Sequence, residues 1–416
     1  MTHPVGFEAG GVDPLGSSIW HVDRTNGTTT LISGTPDQAR ALVVVRDNPR
    51  ISAVLTIDGT DRPAADPAVA AVEPAPTRPW AEGAGAGLQA TVVMCTMGSC
   101  DILGDAVRSV LAQNHDNFDL VVVDNAPSTG GTRRALADIN DSRMTIVNAS
   151  TPGLSRARNR GVLAAQGDFI AFTDDDAILD PNWLTALLDP FAASPLVGAT
   201  TGIVVAAELR SQAQRWFEAR GGFPKDLTAR VWTIGNSAQS LAGLCEPGEG
   251  GPLYPMTTAR VGAGVCMAMR REVLMEVGPF DPALGAGTPT RGGEDLDMFA
   301  RIMRAGYAII HTPDALVHHR HRTDLAGLDT QIRGNGSGMA ALIVKSVMER
   351  PGSLVNLVGR IPGVLQRVAP GSERVSGTDE DVPGSLTKSE IKGFLEGAGL
   401  YLRSRRANRI SAWPRG

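Results

Sequence analysis

The run Phe169-Ile170-Ala171-Phe172-Thr173-Asp174-Asp175-Asp176 sets three carboxylates directly behind an apolar segment, where uncompensated negative charges repel. A hard divalent cation, held by one or two of them and sharing substrate phosphate oxygens, relieves that repulsion and stabilises a leaving diphosphate. In an Asp-x-Asp arrangement the first and third side chains can converge while the middle one turns away. Asp174 and Asp176 are therefore candidates for the cation and for the donor side, with Asp175 in support. A second acidic cluster, Gly293-Glu294-Asp295-Leu296-Asp297, opens an amphipathic helix whose apolar positions include Met298, Ile302 and Met303. Carboxylates favour a helix N-terminus, which suffices for Asp297 but leaves Gly292-Gly293 unexplained. Further on, an extended segment would point Val317, His319 and His321 one way and His318 and Arg320 the other. Two imidazoles on one side of a strand end suit a metal site.

These residues need a scaffold, and one begins at Leu88, where short apolar strands alternate with amphipathic helices. The strands read as Thr91–Cys95, Leu120–Val123, Thr145–Val147 and Phe169–Phe172. Ile102, Ala106, Val107, Val110 and Leu111 mark one helical face, and Leu154, Ala157, Gly161, Val162 and Ala165 another. The alternation predicts an α/β fold with a mostly parallel sheet and helices on both faces. Ligands bind outside the carboxyl ends of such strands, where Thr96, Asp124, Asn125 and the acidic triplet fall.

Upstream, Ala41–Val45 and Ala53–Ile57 flank a polar turn and predict a hairpin within a small β-rich module, residues 1–59. Residues 60–87, with five prolines and the run GAGAG, read as a linker. Residues 326–416 read as a helical C-terminal region. There RPGSLVNLVGRIPGVLQRV and EIKGFLEGAGLYLRSRRANR are candidate amphipathic helices, the second ending in Arg403, Arg405, Arg406 and Arg409. Packing on the catalytic domain is the first expectation for them, and contact with a membrane surface the second.

The chain has 416 residues, 42% hydrophobic and 20% charged, enough for one large or two moderate domains. Its 39 Lys plus Arg against 44 Asp plus Glu give a net charge of -5 and no reason to expect nucleic-acid binding. Cys95, Cys100, Cys245 and Cys266 lack CxxC spacing, which favours a reducing compartment. No basic-then-apolar leader opens the chain, and no run nears the roughly 18 apolar residues of a membrane span. The expectation is a cytoplasmic protein, with peripheral contact at the inner face of the membrane left open.

Three segments carry a family resemblance: TVVMCTMGSCDILGDAVRSVLAQNHDNFDLVVVDNAPSTGGT, NASTPGLSRARNRGVLAAQGDFIAFTDDDAILDPNWL and GAGVCMAMRREVLMEVGPFDPALGAGTPTRGGEDLDMFARIMRAGYAIIHTPDALVHHRHR. In order and spacing, over about residues 88–322, they resemble glycosyltransferase family 2 enzymes of the GT-A fold. The resemblance implies a catalytic domain at about 88–325. It would move a sugar, with inversion, from a nucleoside-diphosphate sugar to a hydroxyl on a glycan, lipid-linked glycan or glycosylated metabolite. Mn or Mg would assist, and a UDP-sugar is the favoured donor.

Residue by residue, the resemblance implies that Asp124 accepts a hydrogen bond from the nucleotide base and that Thr96 lines the base pocket. The sequence departs from the family at Gly98-Ser99, where Asn-Arg is common. Arg158 and Asn159 correspond to nucleotide contacts, as do Asp174 and Asp175, while Arg156 and Arg160 fall to a solvated basic face. The planar fork of Arg158 suits a phosphate. Asp295 corresponds to the general base and Glu294 to an acceptor contact. His319 matches the histidine that completes the cation site with Asp174 and Asp176. His321 is the second choice, and His318 belongs to packing or surface. Gly262, Gly264 and Cys266 match an acceptor-side strand whose small residues leave room for a sugar, and Trp216 and Trp232 read as core. Two other classes compete. A nucleotidyltransferase needs a Gly-rich basic phosphate loop where GSCD stands, and a non-catalytic nucleotide-sugar binder has no need of the triplet, the Glu-Asp pair and His319 together.

Overall fold

The computed structural model describes residues 16–59, 61–235, 241, 243–251, 253–353, 382–408 and 413. The four strands expected of the nucleotide-binding half all form: β5 at Ala90–Thr96, β6 at Phe118–Asp124, β7 at Met144–Asn148 and β8 at Phe169–Asp174. They follow the four strands of the N-terminal module, β1 Ser17–Asp23, β2 Thr28–Ser33, β3 Arg40–Asp47 and β4 Arg50–Asp58. Downstream come β9 Ala177–Leu179, β10 Val197–Ala206, β11 Arg230–Trp232, β12 Glu246–Pro247, β13 Met267–Arg270 and β14 Ala308–His319.

The large sheet runs in the order β12-β11-β14-β10-β13-β8-β5-β6-β7, with β9 paired to β14. Strands β7, β6, β5 and β8 run parallel to one another, as the alternating sequence requires. The downstream half is mixed, because β13 lies antiparallel between β8 and β10 while β10 and β14 are parallel. The sheet is mostly parallel, as expected, and its antiparallel pairings are those made by β9, β11 and β13. Parallel neighbours need a crossover element between them, and the strand-helix alternation that supplies one ends after β8. Among its described residues, the long stretch from Leu209 to Cys266 holds a short helix, Gln212–Ala219, and the short strands β11 and β12.

Every residue of β10 and β14 is buried, so both faces of the sheet are covered there. One cover is the N-terminal module, a four-stranded sheet in the order β2-β1-β3-β4 that contains the expected hairpin. Val44 and Ile51 from it pack on Ile203, Val205 and Leu316. A buried Arg46–Asp180 ion pair at 2.6 Å joins the two layers. The Pro- and Ala-rich stretch read as a linker runs as a strap along the same layer. Arg78 grips Asp314 of β14 through Nε at 2.6 Å and Nη2 at 2.7 Å, and the Gly83 and Gly85 amides donate to Asp189.

Among its described residues, the C-terminal region contributes two long helices, Leu325–Glu349 and Gly384–Ala407, lying side by side. The other segment expected to be helical, residues 350–368, falls from residue 354 onward outside the described residues. Glycines set the closeness of the pair. A Cβ on Gly393 would lie 2.0 Å from the Arg333 carbonyl oxygen, whereas one on Gly399 would meet nothing within 4 Å. Both glycines are helical, so alanine is favoured at each by roughly 1 kcal/mol of propensity. At Gly393 a backbone clash outweighs that gain, since overpacking costs about 1–3 kcal/mol. Gly399→Ala is therefore expected to raise the thermal midpoint and Gly393→Ala to lower it. Equal midpoints for the two variants would remove the close helix contact.

Candidate active site

The acidic triplet sits where β8 stops. Register sets Asp174 beside Cys95 at the end of β5 and Thr96 beside Asp124 at the end of β6, so the strand ends line one edge. The chain then turns and re-enters as β9, which pairs antiparallel with the end of β14, Ala177 opposite His319. That pairing carries the histidine to the triplet. His319 Nε2 lies 3.2 Å from Asp176 Oδ1, and the Arg320 amide donates to the Asp176 carbonyl at 2.9 Å. Ligand atoms of Asp174, Asp176 and His319 all lie within 4.8 Å of one another. Two carboxylates and an imidazole this close fit a divalent ion such as Mn or Mg.

The charges in this group are not equivalent. Burial pushes the Asp174 carboxyl up, against the pull of Arg158. Burial acts on Asp176 as well, but the neighbouring His319 overrides it and holds that carboxyl below its usual range. For His319, burial opposes protonation while Asp176 and Asp174 favour it, and the net shift is upward. The middle residue turns away as expected. Asp175 is raised to about 6 by burial and by its two acidic neighbours, and it accepts the Thr96 hydroxyl at 2.5 Å. Thr96 also accepts the Gly98 amide, so it organises this loop. Asp124 is buried at the end of β6 and accepts the Ala126 amide at 3.1 Å rather than capping the helix Gly131–Ala135.

Arg158 ties the triplet to the second acidic motif. Its guanidinium donates to Glu294 Oε1 at 3.0 Å, to Asp174 Oδ1 at 3.4 Å and to the Gly264 carbonyl at 3.3 Å, and it packs against the rings of Phe172 and Phe280. Expected at a phosphate, it is here a buried brace beneath the carboxylates. Gly264 permits this arrangement, because a Cβ there would lie 2.7 Å from Arg158 Nη2. Gly262 and Gly264 precede β13 and do not lie in it.

Glu294 and Asp295 open the helix Glu294–Arg304, whose N-cap is Gly293 in the left-handed region at φ 95°. Gly293 thus has a backbone reason that the helix-terminus reading of the acids lacked. Glu294 is only 5% exposed, and burial followed by the Asp295 charge lifts it to about 7. Its side chain, expected on the acceptor side, is held by Arg158. Asp295 is half-buried and is the more open of the pair. Its Oδ2 accepts the Gly264 amide and its Oδ1 the Leu296 amide, both at 2.8 Å. Asp297 does not cap the helix. It is buried in an ion-pair cluster with Arg301 and Lys345, and Lys345 also reaches Asp281 at 2.9 Å, which fastens the C-terminal helices to this helix.

Other expected residues go elsewhere. Asn159, expected at the nucleotide, closes a two-way bond with the backbone of Phe280, donating to its carbonyl and accepting its amide. Cys266 is buried against the Trp183 indole, and Trp232 is core beside Tyr254. Trp216 is half-buried against an apolar cluster that includes Leu328 and Ile332. Arg156 reaches Asn408, and Arg160 is exposed. His318 faces the N-terminal module, 2.9 Å from His21 Nε2, on the side opposite His319.

Sequence reasoning missed Glu218. His321 Nδ1 lies 3.3 Å from His319 Nδ1, and His321 Nε2 lies 2.7 Å from Glu218 Oε1. Lys225 and His321 keep Glu218 ionised, at about 2, against its burial. The chain of bonds orders the donors: Glu218 accepts from His321 Nε2–H and His321 Nδ1 accepts from His319 Nδ1–H, which turns His319 Nε2 to Asp176 and Asp174, where it donates to Asp176 when protonated and would offer its lone pair to an ion. His321 thus orients His319 and lies outside the cluster of Asp174, Asp176 and His319. A single Glu in a helix gives no pattern that would have marked it.

Residues 91–278 match the family described as Glycosyl transferase family 2. The glucosyl-dolichyl phosphate glucuronosyltransferase of Haloferax volcanii is 27% identical over 239 residues, 56% of this chain and 69% of that protein. The pre-mycofactocin glycosyltransferase of Mycobacterium tuberculosis is 27% identical over 193 residues, and the match spans 46% of this chain but only 35% of that relative. The succinoglycan biosynthesis protein ExoM of Rhizobium meliloti is 29% identical over 235 residues, 54% of this chain and 66% of its own. Among solved structures, the mannosyltransferase PcManGT from Pyrobaculum calidifontis, in complex with GDP-Man and Mn2+, aligns over 80% of this chain and 90% of that one, with 16% identity and a TM-score of 0.44.

Proposed function

Residues 91–278 form a glycosyl transferase family 2 domain, and from that premise we propose that the chain transfers a sugar, with inversion, from a nucleoside-diphosphate sugar to a hydroxyl acceptor. The observation that carries this reading is the convergence of Asp174, Asp176 and His319 at the strand ends, with Arg158 linking Asp174 to the Glu294-Asp295 helix start. Asp174, Asp176 and His319 would hold the ion, which when bound supplies positive charge against the donor diphosphate.

The protein's own groups divide the remaining work. Asp295 takes the proton from the acceptor hydroxyl as its oxygen bonds to the anomeric carbon, and the bond to the phosphate oxygen breaks with its electrons leaving on the nucleoside diphosphate. Its two backbone donors hold the carboxylate in one orientation. Arg158 keeps Asp174 and Glu294 together in a buried setting where their charges would otherwise repel. Thr96, Asp124 and Asp175 line the edge where a nucleotide base and ribose would lie, with a UDP-sugar the favoured donor. The relatives named above make lipid-linked and small-molecule acceptors as reasonable as glycans.

A screen of UDP-, GDP- and dTDP-sugars with Mn tests the reading. At least one is expected to raise the thermal midpoint, since a ligand that binds only the native state stabilises it, and to release nucleoside diphosphate with an acceptor extract. No shift and no release with any donor would overturn the proposal.

A further inference from the structure

The helix Gly384–Ala407 turns two different faces inward and outward. Inward, Leu386, Gly393, Gly397, Tyr401 and Ser404 are buried. Outward, Ile391, Phe394, Leu395 and Leu402 are exposed, Leu395 by 76%. At 3.6 residues per turn, Ile391, Leu395 and Leu402 fall within roughly 40° of one another. Lys388, Lys392, Arg403, Arg405 and Arg406 are exposed along the same side of the helix. Its two carboxylates are drawn sideways into ion pairs, Glu390 with Arg220 at 2.7 Å and Glu396 with Arg333 at 2.6 Å. The outward face is thus apolar and basic in a chain whose net charge is -5.

We infer that this face rests on the surface of an anionic lipid bilayer, with the leucines and Ile391 set among the acyl chains and the lysines and arginines at the headgroups. A straight apolar stripe flanked by cations matches a planar, negatively charged surface with an apolar interior. The helix lies on the surface and does not cross it: no helix among the described residues is long and apolar enough to span a membrane. Its buried glycine face fixes it to the Leu325–Glu349 helix, so the docking surface is preformed and needs no folding on contact. The inference stands apart from the transfer reaction, because it concerns a face that the chemistry above does not use.

Co-sedimentation of the full chain with vesicles tests it. The wild type is expected to pellet with vesicles of phosphatidylglycerol and phosphatidylcholine, to be released by high salt, and to stay in solution with phosphatidylcholine alone. The double variant L395E/L402E, altered only at exposed positions, is expected to keep the wild-type melting midpoint and to lose at least tenfold in partitioning. A second variant, K388Q/K392Q, is expected to lose binding in part. Absence of wild-type binding, or undiminished binding by L395E/L402E, would overturn the inference. A wild-type dimer that L395E/L402E converts to monomer would assign the face to a second copy of the chain and overturn it equally.

Discussion

Asp295→Asn is expected to leave donor binding intact and to lower turnover by roughly 10²- to 10⁴-fold, the range that a positioned general base contributes. The competing structural effect is smaller. Asp295 accepts two backbone amides, from Gly264 and Leu296. Asparagine offers one carbonyl oxygen, so one amide loses its partner at about 1–3 kcal/mol of stability. Such a loss shifts the melting midpoint, but it does not remove the group that takes the proton. The two effects separate cleanly when midpoint, donor affinity and turnover are measured on the same protein. Glu294→Gln is the informative companion. Glu294 is buried and bonded to Arg158, so neutralising it weakens the brace under Asp174 and should disturb stability and metal affinity together. Turnover close to wild type in Asp295→Asn would remove Asp295 from the mechanism, and loss confined to Glu294→Gln would move the base to that residue.

The sequence was most legible where local pattern and chemistry coincide. Strands β5 to β8 were readable because each is a short apolar run between amphipathic helices, and their parallel pairing follows from that alternation. The same logic put the acidic triplet at a strand end, the family resemblance joined His319 to it, and strand alternation alone put His318 on the opposite side. What stayed hidden depends on contacts between distant segments. Arg158 looked like a phosphate fork because an arginine on the first turns of a helix is usually free to be one. Its burial comes from Phe172, Phe280 and Glu294, which lie up to 136 residues away. Asn159 is committed to Phe280 for the same kind of reason. Asp297 resembled a helix-start acid until Lys345, from the C-terminal region, supplied a buried cation. Composition says little about residues 60–87 for a related reason: the prolines there leave the short helical turns Pro63–Ala65 and Pro67–Ala70, and Arg78, through its buried partner Asp314, holds the stretch to the sheet.

Removing either carboxylate or imidazole from the cation set is expected to reduce Mn binding more than removing the groups behind them. Asp176→Ala and His319→Ala each delete a donor atom from a cluster whose members lie within 4.8 Å of one another. Each should lower affinity by more than the roughly 10- to 100-fold that loss of a ligand's orienting partner costs. Glu218→Gln tests that lesser range. Glutamine can still accept from His321 through its oxygen, but it withdraws the negative charge that fixes the His321 tautomer and, through it, the proton on His319 Nδ1. Titration of chelator-treated protein with Mn, followed by calorimetry, reads these affinities without reference to turnover. The order expected is wild type, then Glu218→Gln, then His319→Ala and Asp176→Ala. Sugar transfer at full rate by chelator-treated wild type would end the metal assignment. Equal affinity in His319→Ala and wild type would instead leave the ion to the carboxylates, and the register of β9 on β14 would then serve packing alone.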